Sequence, residues 1–249
     1  MSNKVALVTG AAAGIGAACS RRLAQDGIAI GVLDLDEQRC AGTVSAISAA
    51  GGKAVALGAD VSNRAQVQAA LGQLRAALGP ITIVVNNAGV TDFTPFEQVS
   101  DERWDFIYAV NVRGTFIVTQ EALPDMKAAH WGRIVNISSS SAQTGASTMA
   151  PYSSSKGAIV TLTRSLAQEL GPLGITVNNI PPGSVMHTIM SEANRDRFQY
   201  PPEHLLASLP VRRLGEPEDI ANACAWLCLE ASSYVTGQTI GVNGGRVVT

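Results

Sequence analysis

Seven short runs rich in valine and isoleucine, KVALVT, IAIGVL, KAVAL, ITIVV, RIVNIS, ITVNNI and TIGVN, alternate along the 249-residue chain with longer segments of helical period. A strand-length run followed by a helix-length one, repeated, predicts βαβ units and hence a parallel sheet, with right-handed crossovers. The fold class expected is single-domain α/β: a doubly wound parallel sheet of about seven strands with helices on both faces. Helices are expected near 14–26, 37–50, 63–78, 101–130, 151–171 and 217–229, the longest broken near Asn111 or Gly114. No linker or low-complexity tract divides residues 1–249, so one domain is expected. The strand-free, proline-flanked stretch at 184–210 is long for a connection and reads as a lid over a site.

Composition agrees with strands covered on both faces, since 46% of residues are hydrophobic and 15% charged. A net charge of −2 offers no basic field to a nucleic-acid backbone or an anionic membrane, which leaves a small molecule as the expected partner. The N-terminal apolar run is too short for a signal-peptide core, and no stretch reaches the roughly 18 apolar residues of a membrane span. A cytoplasmic protein is expected. Cys19, Cys40, Cys224 and Cys228 show no Cys-x-x-Cys spacing, so they read as small buried hydrophobes and no metal site is expected.

Chemistry is concentrated where strands should end. TGAAAGIGAAC sets Gly10, Gly14 and Gly16 between the first strand and the first helix, where glycines let the backbone approach a pyrophosphate at a helix N-terminus. Asp34 ends the second strand 20 residues after Gly14, where a carboxylate can accept hydrogen bonds from ribose hydroxyls; it can equally cap the next helix. Asp60 and Val61 follow the third strand, and Asn86, Asn87, Ala88 and Gly89 the fourth. In an open α/β sheet these carboxyl ends line the ligand crevice, although such residues also suit ordinary turns.

In MAPYSSSKGAIV a helix would place Tyr152 and Lys156 on one face, roughly 5–6 Å apart at their bases. An ammonium there favours the phenolate of a tyrosine whose reference pKa is about 10. Tyr-x-x-x-Lys also arises often by chance, as a solvated pair.

TGAAAGIG, NNAG, Asn111 in NVRG, NISSS, Tyr152-x-x-x-Lys156, PPG and VNGG occur in this order from Lys4 to about Gly245. Together they resemble the short-chain dehydrogenase/reductase family, a Rossmann-type fold. The resemblance implies a catalytic set of Asn111, Ser139, Tyr152 and Lys156, the serine being the one 13 residues before the tyrosine. Tyr152 would be the general acid or base, its pKa lowered by Lys156 and the oxidised cofactor, while Ser139 would polarise the substrate oxygen. Lys156 would also bind the nicotinamide ribose, and Asn111 would fix a proton-relay water. The implied cofactor-binding set is Gly10, Gly14, Ile15, Gly16, Asp34, Leu35, Asp60, Val61, Asn87, Ala88, Gly89, Tyr152, Lys156, Pro182, Gly183 and Val185. His187 stands where the family often has threonine, so Gly183 and Val185 are the firmer expectations and Thr188 the weaker.

The implied activity interconverts a secondary alcohol and a ketone. A 3-oxoacyl carrier-protein reductase, a dehydrogenase of larger apolar substrates such as hydroxysteroids and a non-catalytic nucleotide-sensing or scaffold protein are the alternatives. The first is weakened by His130 and Leu173 at positions where carrier-docking arginines are expected. Gln143, Thr144, Met149 and the 184–210 segment would shape substrate choice, and the assembly would be a homotetramer. NAD is the expected cofactor, because Asp34 repels a 2′-phosphate and Arg39, the nearest cation, is expected to be solvated or paired with an acid such as Asp36.

Overall fold

The computed structural model describes residues 4–188, 206–207 and 209–248. Six parallel strands form one sheet: β1 (Val5–Thr9), β2 (Ala29–Asp34), β3 (Ala54–Gly58), β4 (Ile81–Asn86), β5 (Gly132–Ile137) and β6 (Ile175–Ile180), in the order β3-β2-β1-β4-β5-β6. Strand order reverses between β1 and β4, which opens a crevice at their carboxyl ends. The alternation along each strand supplies two cores. In β1, Ala6 and Val8 pack on one face with Leu23, Ile47 and Ile220, and Val5 and Leu7 on the other with Leu71, Ile117 and Leu170.

The first face is covered by α1 (Gly14–Gln25), α2 (Ala41–Ala49) and α8 (Pro217–Cys228), the second by α3 (Arg64–Leu78), α5 (Thr115–Ala129) and α7 (Ala150–Leu170). α4 (Asp101–Tyr108) runs into a π-helical turn (Ala109–Gly114) before α5, so the expected break near Asn111 takes the form of a widened turn. Such turns recur at functional sites. A short α6 (Ser141–Thr144) follows β5.

The seventh run, TIGVN, is not a regular strand. It lies parallel beside β6 through isolated bridges at Asn179–Thr239 and Pro182–Val242. Side chains take ladder positions there: Val177 N donates to Thr236 Oγ1, and Gln238 N to Asn178 Oδ1. Gly237, Gly244 and Gly245, with φ of 72°, 66° and 81°, turn the chain away at both ends.

The expected lid falls largely on residues 189–205 and 208, outside the described residues. All four cysteines are buried thiols, and Cys19, Cys224 and Cys228 contact one another between α1 and α8. Among the described residues no helix is long and apolar enough to cross a membrane, and no group of three His, Cys, Asp or Glu could hold a metal.

Candidate active site

The glycine-rich turn leaves β1 with Gly10 and Gly14 at φ of 62° and 56°, conformations that disfavour a side chain. A Cβ on Gly16 would lie 2.7 Å from Asn87 Nδ2, so α1 approaches the β4 turn only because that position is glycine. Ala13 occupies the N-cap of α1 without a side-chain bond, whereas Asn63 caps α3 and Ser100 caps α4. The first-turn amides of α1 therefore have no capping side chain competing with an anion. Ile15 is half-buried in that turn.

Asp34 is held beside this turn. Ala12 N donates to its Oδ2 (3.2 Å) and Leu35 N to its Oδ1 (2.9 Å), while Leu35 itself is exposed. Arg39 Nη1 lies 3.2 Å from Asp34 Oδ1, so the arginine, expected to be solvated or paired with an acid, is paired with Asp34 rather than Asp36. Asp36 is occupied in capping the following turn through Gln38 N (2.9 Å), and the 3₁₀ turn Glu37–Cys40 swings Arg39 back toward β2.

At the end of β4, Asn87 serves as a fastener: its Nδ2 donates to Thr9 O and Gly10 O, both at 3.0 Å. Thr9 Oγ1 accepts from Asn87 N and Ala88 N, so the two crevice-lining turns are tied together. Asp60 is folded onto Ser62, accepting from its N and Oγ at 2.8 and 2.7 Å. Val61 packs where a Cβ on Gly114 would intrude.

Asn111 is fully buried in the π-helical turn. Val90 N donates to its Oδ1 (2.8 Å), and its Nδ2 donates to Val90 O (3.0 Å) and Ser155 Oγ (2.9 Å). Gly89 completes this wall: a Cβ there would lie 3.1 Å from Lys156 Nζ and 3.2 Å from Asn111 Oδ1.

α7 carries Tyr152 and Lys156, both buried on one face. Lys156 Nζ donates to Ile137 O (3.0 Å) and lies 5.8 Å from the Tyr152 ring centroid. Burial lowers the Lys156 pKa to about 8. Burial pushes the Tyr152 pKa up, and a hydrogen bond with Ser139 opposes that rise. In the cofactor-free chain, then, burial dominates at Tyr152, while Lys156 is engaged with the Ile137 carbonyl. Ser139 Oγ accepts from Ser141 N (3.2 Å) and Ser141 Oγ (2.9 Å), leaving its own hydrogen for Tyr152. The structure thus brings Asn111, Ser139, Tyr152 and Lys156 together at the carboxyl ends of β4 and β5.

Pro182 and Gly183 pair with Val242, and Val185 bridges to Gly215. A Cβ on Gly183 would meet Asn243 Cα at 2.9 Å, so the PPG and VNGG turns require each other. His187 is exposed with φ of 54°, its Nε2 3.9 Å from Glu216. Thr188 lies over the first turn, 3.4 Å from where a Gly14 Cβ would stand, nearer to the site than the sequence suggested. Ile137, Val90 and Ser155 were missed because two act through backbone groups and the third reads as one serine in a run of three.

With this geometry in place, comparison with known proteins is informative. Residues 10–246 match the family model described as enoyl-(acyl carrier protein) reductase. The chain is 41% identical over 246 residues to the (2S)-[(R)-hydroxy(phenyl)methyl]succinyl-CoA dehydrogenase subunit BbsD of Thauera aromatica, covering 99% of this chain and 97% of the relative. It is 35% identical over 243 residues to a 3-oxoacyl-[acyl-carrier-protein] reductase of Staphylococcus aureus, covering 97% of each. Its fold superposes on an actinorhodin polyketide ketoreductase crystallised with NADPH at a TM-score of 0.92, with 32% identity and coverage of 98% of this chain and 97% of that one.

Proposed function

The chain belongs to the short-chain dehydrogenase/reductase family of oxidoreductases, and from that premise we propose that it interconverts a secondary alcohol and a ketone with NAD(H). The observation that carries the proposal is the convergence of Tyr152, Ser139 and Lys156 beside the glycine-rich turn. A nicotinamide dinucleotide fits the residues present: an uncapped α1 N-terminus for the pyrophosphate and a fixed carboxylate, Asp34, for the adenosine ribose. The cofactor-binding set is the one named above, and Thr188 is added to it for its place over Gly14. When bound, the cofactor supplies or accepts the hydride.

The protein's own part is proton handling and alignment. Tyr152, buried and protonated at neutral pH, donates its proton to the carbonyl oxygen during reduction. With substrate bound, Ser139 turns its hydroxyl hydrogen from Tyr152 to that oxygen and polarises it. In oxidation Tyr152 must take a proton, and the ammonium of Lys156 stabilises the phenolate that does so. Asn111 holds the Gly89–Val90 wall against Lys156 and anchors the water through which the proton reaches solvent. The chain works as a single domain in the cytoplasm and as a homotetramer, exposing Phe106 and Phe116 beside an open groove of about 500 Å³ lined by Tyr108, Val112 and Phe116.

Reduction of a 3-oxoacyl thioester is the second reading, favoured by the carrier-protein reductase among the relatives. The test is a cofactor-absorbance screen with NADH and acetoacetyl-CoA, ethyl acetoacetate, acetophenone and a ketosteroid, run alongside the matching alcohols with NAD. Turnover of at least one pair that disappears in Tyr152→Phe carries the reading. No turnover of any member with either NADH or NADPH contradicts it.

A further inference from the structure

The amide of Asn111 is gripped at both ends by the backbone of Val90, so whatever fixes Val90 fixes Asn111. The next two residues are held by one side chain on α4. Arg103 Nε donates to Asp92 Oδ2 (2.7 Å), and Arg103 Nη2 donates to Thr91 O (3.1 Å). The other carboxylate oxygen of Asp92 accepts from Phe93 N (2.8 Å), which locks the turn that the guanidinium grips. The same segment then reaches the turn before α7: Thr94 N donates to Thr148 O (2.8 Å), four residues before Tyr152.

We propose that Arg103, paired with Asp92, is a positioning residue that holds the 89–94 segment and through it sets Asn111 for proton transfer. This rests on the functional reading above. An ion pair whose side chains are 40% and 20% exposed adds little to stability on its own, so its fork onto Thr91 and Asp92 matters for placement. Arg103 is a planar donor that satisfies a carboxylate and a carbonyl at once, which an ammonium in its place would not do in the same plane. A displaced segment also widens the wall that Gly89 forms against Lys156.

The test is a double-mutant cycle between Arg103→Ala and Asn111→Ala, using NADH and the fastest ketone of the panel. Misplacement of a reacting group by a fraction of an ångström lowers turnover by factors of ten or more, and Arg103→Ala is expected to lose about tenfold in kcat. NADH affinity, read by fluorescence, should stay within about twofold, and the thermal midpoint should barely move. Asp92→Ala should reproduce the loss. Because Arg103 acts through Asn111, the double variant should be no slower than Asn111→Ala alone. Losses that multiply, or wild-type kcat in Arg103→Ala, would overturn the positioning role while leaving the functional reading intact. Wild-type kcat in Asn111→Ala would instead remove the reading on which the proposal rests.

Discussion

The two ends of β5 each bury a cation beside an aromatic ring, and they resolve its charge differently. At the amino end Arg133, 1% exposed, stacks 4.3 Å from the Trp131 ring, donates to Gly132 O and lies 3.7 Å from Glu230. Glu230 also accepts from Lys4 and Trp131 Nε1, so three side chains converge on one carboxylate. At the carboxyl end Lys156, 4% exposed, has the carbonyl of Ile137 and no carboxylate partner among the described residues. Burial lowers both pKa values, but the arginine stays charged at any physiological pH while the lysine comes to about 8. A buried cation with a counter-charge is a fastener. One without a counter-charge can change its protonation state near neutrality, which is the property a proton relay needs.

The largest effect expected from breaking this contrast is at the ring beside the lysine. Tyr152→Phe keeps the packing and removes the hydroxyl, so turnover should fall by roughly 10²–10⁴-fold with cofactor affinity nearly unchanged. More than a tenth of wild-type turnover would contradict the assignment. In wild type, ketone reduction should stay flat through neutral pH, because burial keeps Tyr152 protonated, and alcohol oxidation should rise as pH increases. Steady-state rates in both directions across pH would check the sign.

Replacing Lys156 with Met should stabilise the cofactor-free protein at pH 7. The folded-state pKa of about 8 lies below the unfolded value, so the charged lysine destabilises the fold at neutral pH. Less the hydrogen bond to Ile137, the gain should be about 2–3 kcal/mol by denaturant unfolding. It should shrink as pH rises from about 8, where the wild-type lysine becomes neutral in the fold, toward the unfolded pKa, where it becomes neutral in the unfolded chain as well. A pH-independent difference would mean that the lysine is solvated.

The alternation of strands and helices, the glycine turn and the Tyr-Lys spacing were legible because each is local, written at periods of two, 3.6 and four residues. The irregular seventh run was not, because side chains of Thr236 and Asn178 displace backbone partners only in three dimensions. Nor was the rise in the Tyr152 pKa, which depends on how deeply α7 is buried. Which acid Arg39 pairs with was not legible for a similar reason: a 3₁₀ turn reverses its direction toward Asp34, and sequence separation gave no sign of that.

That pair yields a smaller effect. Asp34 should favour NAD over the phosphorylated cofactor by at least about tenfold in kcat/KM, and Asp34→Ala should narrow the gap by weakening NAD. Arg39 partly neutralises Asp34, so Arg39→Ala should widen it. Calorimetric titration with ADP and 2′,5′-ADP would separate the two contributions without turnover. Equal efficiency of wild type with both cofactors would show that Asp34 does not face the ribose.

The smallest effect is at the fastened end. Glu230→Gln should cost about 1 kcal/mol or less at pH 7, since the carboxylate is 68% exposed and screened by solvent. Its hydrogen bond from Lys4 holds its pKa down, so the contribution is present above the usual carboxylate range and is lost as pH falls through the folded value. Turnover should be unchanged, and a drop in kcat would mean that the two ends of β5 are coupled.

The contrast itself is most directly tested by titrating Lys156. The chain has four lysines, so ¹³Cε and ¹⁵Nζ resonances can be assigned by single Lys→Arg variants and followed by NMR across pH in the cofactor-free protein. The account predicts one resonance, lost in Lys156→Arg, with a midpoint near 8. A midpoint for Lys156 at the ordinary value of about 10.4 would contradict it.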